Sequence, residues 1–178
     1  MSTNETAKLN SAGGPLFRRP DISHEEFATA WHRHGRLVMP WALKYGVWEY
    51  IQIHMPDPES VPRSGDEETT SKEDDTVEAR AKRILRQADG VAVMRRYDVP
   101  TEAGQFYFKG TILQDERRFL HDESGAGAVK ADPPVYDVPE LRVDVWRELA
   151  LALGGVEHVK IREGKDVSVD AKYIGGVV

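Results

Sequence analysis

The chain has 178 residues, 40% hydrophobic and 30% charged, with a formal net charge of −6. That length suits one domain with a real core, and the acidic balance argues against nucleic acid or an anionic membrane as the main partner. There is no cysteine, which removes disulfides, thiolate nucleophiles and Cys-ligated metal centres together, and no apolar run of about 18 residues that would span a membrane.

Residues 1–14 are polar and broken by Gly13-Gly14. They read as a disordered arm without the apolar region of a secretory signal, so a cytoplasmic location is expected. Ser23-His24-Glu25-Glu26 is a capping box. Phe27, Ala30, Trp31 and His34 follow at i, i+3, i+4 and i+7, which puts them on one helix face. Gly35 should weaken this helix just after His34, and Pro40 should kink or restart it. Leu37, Val38, Trp41 and Leu43 carry the apolar pattern on to Tyr45, and Gly46 is a suitable stop.

Val47 to His54 reads as a strand, with Val47, Glu49, Ile51 and Ile53 on one face and Trp48, Tyr50, Gln52 and His54 on the other. The second face, aromatic and polar together, suits a pocket wall. Residues 56–78 are rich in Asp, Glu and Pro and read as a solvated loop insertion. Thr76 to Gln87 is a short helix with Val77, Ala81, Ile84 and Leu85 inward, and Gly90 to Tyr97 a second strand.

Asp98 to Gly104 is turn-like, and Phe106 to Leu120 mostly helical with a break at Gly110. Val129 to Val138 is an edge strand at best, because Pro133-Pro134 interrupts it. Leu141 to Leu153 is an amphipathic helix stopped by Gly154-Gly155. Val156 to Ile161 and Val167 to Tyr173 form a hairpin around Gly164-Lys165. The order of elements implies an α+β fold, an open sheet with helices on one face.

Few of the residues invite chemistry. His32 and His34 form an H-x-H pair, but on a helix their side chains diverge by about 200° and cannot grip one ion. His34, His54 and a carboxylate match a facial triad only in count, so no metal is expected. No Gly-rich phosphate loop follows a strand, and no serine sits in a nucleophile elbow. General acid–base catalysis remains. His34 lies on the buried face beside Trp31 and Trp41, where a histidine can take or deliver a proton near neutrality. The competing reading is a structural histidine in the last turn of its helix, favouring the helix dipole.

Arg19-Pro20-Asp21-Ile22-Ser23-His24-Glu25-Glu26-Phe27, Trp31, His34-Gly35-Arg36-Leu37-Val38, Tyr45-Gly46-Val47, Tyr50-x-Gln52-x-His54, Asp89-Gly90-Val91-Ala92 and Asp115-Glu116-x-x-Phe119 together resemble the EthD domain of the dimeric α/β-barrel, ferredoxin-like superfamily. Arg36 stands where the family's usual H-G-P-L has proline, and the stretch before Arg19 is poorly strand-like. The resemblance covers roughly residues 15–130 and implies a four-stranded antiparallel sheet with helices on one face in residues 15–138. Two sheets would pack face to face in a homodimer. Residues 139–178 would add a helix and hairpin extension.

The resemblance also implies a cofactor-free enzyme of fungal polyketide tailoring, with His34 as the usual acid or base. The leading expectation is a lyase that decarboxylates an aromatic polyketide acid. The alternatives are a cofactor-independent oxygenase, cyclase or dehydratase, and a non-enzymatic binding or assembly protein. His34, His54 and Asp89 are the candidate catalytic residues, Asp89 as a partner orienting a histidine. Trp31, Trp41, Tyr45, Tyr50, Gln52, Phe106, Phe119 and His121 are the candidate walls for a flat substrate. An open sheet with one bare apolar face, carrying Val47, Ile51 and Ile53, would bury that face against its own copy.

Overall fold

The computed structural model describes residues 9–60, 76–97, 101–121 and 138–168. It opens with β1 (Asn10–Leu16), α1 (His24–Lys44), β2 (Val47–His54), α2 (Val77–Leu85) and β3 (Gly90–Arg96). A segmented helix follows: α3 (Glu102–Tyr107), a π-helical turn (Phe108–Ile112) and α4 (Leu113–Glu116). Then come α5 (Val143–Ala152), β4 (Val156–Arg162) and the short β5 (Lys165–Asp166). The strands make one open antiparallel sheet in the order β1-β3-β2-β4-β5. This is the expected α+β class, consistent with a ferredoxin-like fold, with five strands in place of four. Among the described residues no helix is long and apolar enough to cross a membrane.

Helix α1 begins as its sequence dictates. The Ser23 hydroxyl accepts from the Glu26 N–H at 3.1 Å, and the Glu26 carboxylate accepts from the Ser23 N–H at 2.7 Å. It does not stop near His34. It runs through Gly35 and Pro40 to Lys44 and ends before Gly46, whose φ is 74°. Pro40 is exposed, so the carbonyl it leaves unpaired faces solvent, while Val38, Met39, Trp41 and Ala42 are buried around it. His34 therefore sits in mid-helix, and the last-turn dipole role does not apply.

The arm expected over residues 1–14 is in part a strand. Asn10 to Leu16 pairs in register with β3, from Asn10 opposite Arg96 to Leu16 opposite Gly90. Gly13 is no break. Its φ is 135°, and a Cβ there would overlap the Ala92 carbonyl, so glycine is what lets β1 approach β3.

Alternation sends Tyr50 and Gln52 of β2 and Ala92 and Met94 of β3 towards α1, and Ile51, Ile53, Val91 and Val93 the other way. A register shift between Val47 and Glu49 moves Val47 onto the Tyr50 side, where it packs with Val38 and Trp41. Ile51, Ile53, Val91 and Val93 are covered by Ala81, Ile84 and Leu85 of α2 and by Val143, Trp146, Leu149 and Ala150 of α5. Helices thus lie on both faces of the sheet, and the face expected to be bare is buried within the chain. The physical reason for pairing with a second copy through Ile51 and Ile53 disappears with it.

Smaller differences follow from local geometry. Val77, expected inward, is 45% exposed at the first position of α2. Gly110 does not break its helix but lies within the π turn. The final hairpin turns at Glu163-Gly164, and its return strand starts at Lys165, two residues earlier than expected. All but Val138 of the edge strand expected at Val129–Val138, and most of the acidic stretch, lie outside the described residues.

Candidate active site

A cavity of about 460 Å³ lies between α1, the β1-β3-β2 part of the sheet and the α3–α4 helix, a size that suits a small-molecule ligand. Trp31, His34, Val38 and Trp41 line it from α1. Their spacings of three and four make a single stripe, about 15 Å from first to last at 1.5 Å per residue. Phe108, Ile112 and Glu116 line the opposite wall at four-residue spacing, held on one face by the wider π turn. Phe119 lies 5.3 Å from the His34 ring, centre to centre, edge-on.

His34 is 3% exposed and meets a carboxylate at each ring nitrogen. Nδ1 lies 2.8 Å from Asp115 Oδ2, and Nε2 lies 3.4 Å from Glu116 Oε1. A carboxylate only accepts, so Nδ1 carries hydrogen and donates to Asp115. Glu116 Oε2 is buried with no hydrogen-bond partner. Across the cavity, Gln52 Nε2 donates to the Trp31 carbonyl at 2.8 Å and to the Tyr50 hydroxyl oxygen at 3.0 Å. The hydrogen of the Tyr50 hydroxyl is thereby left for something else. Burial, with Glu116 nearby, raises the Tyr50 pKa and keeps the group a neutral phenol.

These atoms form an acid–base pair beside a hydroxyl donor in an aromatic-walled cavity. The family model of the EthD domain matches residues 19–123. The chain belongs to the EthD domain family. Comparison with curated proteins and with solved structures gives no match. The EthD match includes all of α1, β2, β3 and the α3–α4 helix, and so every residue of the acid–base cluster.

Of the residues expected at the site, His34, Trp31, Trp41, Tyr50 and Phe119 line the cavity, and Gln52 stands behind Tyr50. The others lie elsewhere. His54 packs against Trp31 and His158, with ring centres 4.7 Å from each. Burial, reinforced by His158, Lys160, His32 and His24, lowers its pKa to about 3. His54 does not line the cavity that His34 faces. Asp89 does hold a histidine, but it is His24, at 2.8 Å, together with the Arg18 N–H and guanidinium. Asp89 thus partners a histidine as expected, and the carboxylate beside His34 is Asp115.

Phe106 is 81% exposed, because it falls on the outer side of α3. Tyr45 caps α1 and packs on Trp41, and His121 joins Phe17 through its backbone; neither lines the cavity. Arg96 and Lys109 are site residues that the sequence did not single out, and Asp115 and Glu116 entered only through the family resemblance, with no role assigned. The signal for Glu116 was present: it is the one charged position in the stripe Phe108, Ile112, Glu116, Phe119. Among the described residues no group of three His, Asp or Glu side chains is placed to hold a metal ion.

Proposed function

We propose that this EthD-domain protein is a cofactor-independent lyase that removes CO2 from an ortho-hydroxylated aromatic acid of polyketide type. The observation that carries the reading is the placement of His34 between Asp115 and Glu116, opposite the free hydroxyl hydrogen of Tyr50. Protonated His34, with Asp115 bonded to Nδ1, gives the Nε2 proton to the ring carbon that bears the carboxylate. Glu116 takes the proton of the adjacent phenol, and Tyr50 donates a hydrogen bond to the oxygen as it becomes a carbonyl.

The carbon–carboxylate bond then breaks, and its electron pair flows through the ring to that oxygen. CO2 leaves, and the phenolate recovers its proton from Glu116. The net change consumes one proton, which His34 regains from water. Trp31, Val38 and Ile112 keep bulk water away while charge disperses out of the carboxylate.

The test is CO2 release by purified protein from a panel of ortho-hydroxylated aryl acids, with chelator present. Activity is expected to survive chelation. Activity that vanishes with chelator and returns with added metal would end the cofactor-independent reading.

The Glu116 carboxylate supports a second reading. A base at that position can remove a proton from an anthrone-type ring, whose carbanion passes an electron to O2 unaided. Oxygen uptake without CO2 release would favour an oxygenase over the lyase.

A further inference from the structure

The cavity is not uniformly apolar. Along β3, Ala92, Met94 and Arg96 alternate onto the α1 side, and all of them line the cavity. Met94 is the register partner of Tyr50, so Arg96 stands about 7 Å further along the strand than the hydroxyl-bearing residue. Lys109, from the π turn, lines the same cavity. Neither cation forms an ion pair among the described residues, in a chain whose net charge is −6, whereas Arg18 pairs with Asp89, Arg95 with Glu49 and Arg147 with Glu157. A half-buried guanidinium beside an apolar cavity, with no carboxylate partner among the described residues, suits an anion that arrives with the ligand.

We infer that Arg96, assisted by Lys109, binds a second acidic group of the substrate, separate from the group that reacts at His34. The inference rests on the reading of this cavity as the substrate site, and it specifies the substrate class: a dianionic aromatic whose second carboxylate, or equally acidic enol, lies one ring or more from the reacting carbon. The reacting carboxylate stays among apolar walls near Glu116, where its charge is poorly tolerated. The distal anion supplies the binding energy that holds it there. A cation placed directly on the departing carboxylate would oppose the loss of its charge, so the separation of Arg96 from His34 along the cavity serves the chemistry.

The experiment needs no turnover. Trp31 and Trp41 line the cavity and report occupancy by fluorescence quenching. The probes are 2-naphthoate and its neutral isostere 2-naphthamide, titrated into the full chain. Wild type is expected to bind the carboxylate roughly tenfold more tightly, the scale of one charge-assisted contact. Arg96→Gln together with Lys109→Gln should abolish that preference without weakening the amide. Lys109→Gln alone, at an exposed position, should reduce it even if the double variant folds poorly.

Equal binding of the two probes by wild type, no binding of either, or a preference that survives both substitutions would overturn the inference. If the preference tracks Arg96 while no aromatic acid releases CO2, the lyase reading falls and the anion subsite stands.

Discussion

His34 Nδ1 lies 2.8 Å from Asp115 Oδ2, joining the middle of α1 to the end of the helix that closes the cavity. The bond fixes the imidazole ring and directs Nε2 towards Glu116, the side from which the proposed mechanism has it meet substrate. His34→Gln is therefore expected to fold and to lose activity by roughly 10² or more, the scale of a lost acid–base group. Asp115→Asn keeps the shape but can turn its amide donor towards Nδ1, so it should lose activity less and shift the pH profile. Steady-state rates across pH check both. Full activity in His34→Gln would remove the histidine from the mechanism.

Tyr50→Phe tests the hydroxyl donor. Removing the oxygen costs the Gln52 amide one of its acceptors, and the substrate its donor. A fall in kcat of about tenfold to a hundredfold is expected, with a smaller change in KM, because the bond strengthens as charge develops on the substrate oxygen. A change confined to KM would make Tyr50 a binding residue only.

Asp89→Ala should behave in the opposite way. Asp89 is 3% exposed and ties Arg18 and His24 to the start of β3. Losing it leaves those donors without their acceptor and should cost about 2–3 kcal/mol of stability. Activity per folded molecule should be nearly unchanged. Denaturant unfolding alongside active-site titration separates the two. A stable but inactive variant would restore Asp89 to the catalytic set.

Acid stability should depend on His54. Burial, with His158 and Lys160 as neighbours, lowers its pKa from 6.5 to about 3. The unfolded chain therefore takes up a proton near pH 6.5 that the folded chain refuses until about pH 3. The contribution of His54 to stability is complete above 6.5 and is lost as pH falls towards 3. The Tm of wild type should drop more steeply between pH 7 and 4.5 than that of His54→Gln. Parallel curves would show that His54 takes up its proton in both states.

The sequence disclosed the elements that follow local rules. The Ser23–Glu26 box, the Phe27–Trp31–His34 stripe and the alternating Tyr50–Gln52 strand face are all in place, since capping and periodicity need only near neighbours. What it concealed depends on distant partners. Gly13 looks like a break until Ala92 is seen pressed against it, and Pro40 looks like a kink or restart until the packing of Trp41 and Ala42 holds α1 through it. Asp89 and Asp115 are equally good partners for a histidine on paper. Only the register of β3 and the π turn decide which carboxylate meets which ring.

The placement of α5 separates ancestry from folding. The EthD match covers residues 19–123, yet β1 begins before that span, and α5 and β4 come after it. Trp146, Leu149 and Ala150 of α5 seal the sheet face carrying Ile53 and Val91, and β4 occupies the outer edge of β2. A fragment cut at the family boundaries would keep the whole acid–base cluster and α2, but would expose the part of the sheet face that α5 covers. Such a fragment is expected to bind hydrophobic dyes and to aggregate where the full chain does not. The stretch that matches the family is thus smaller than what packs together, and any graft or trimmed version of this site has to carry the later helix with it.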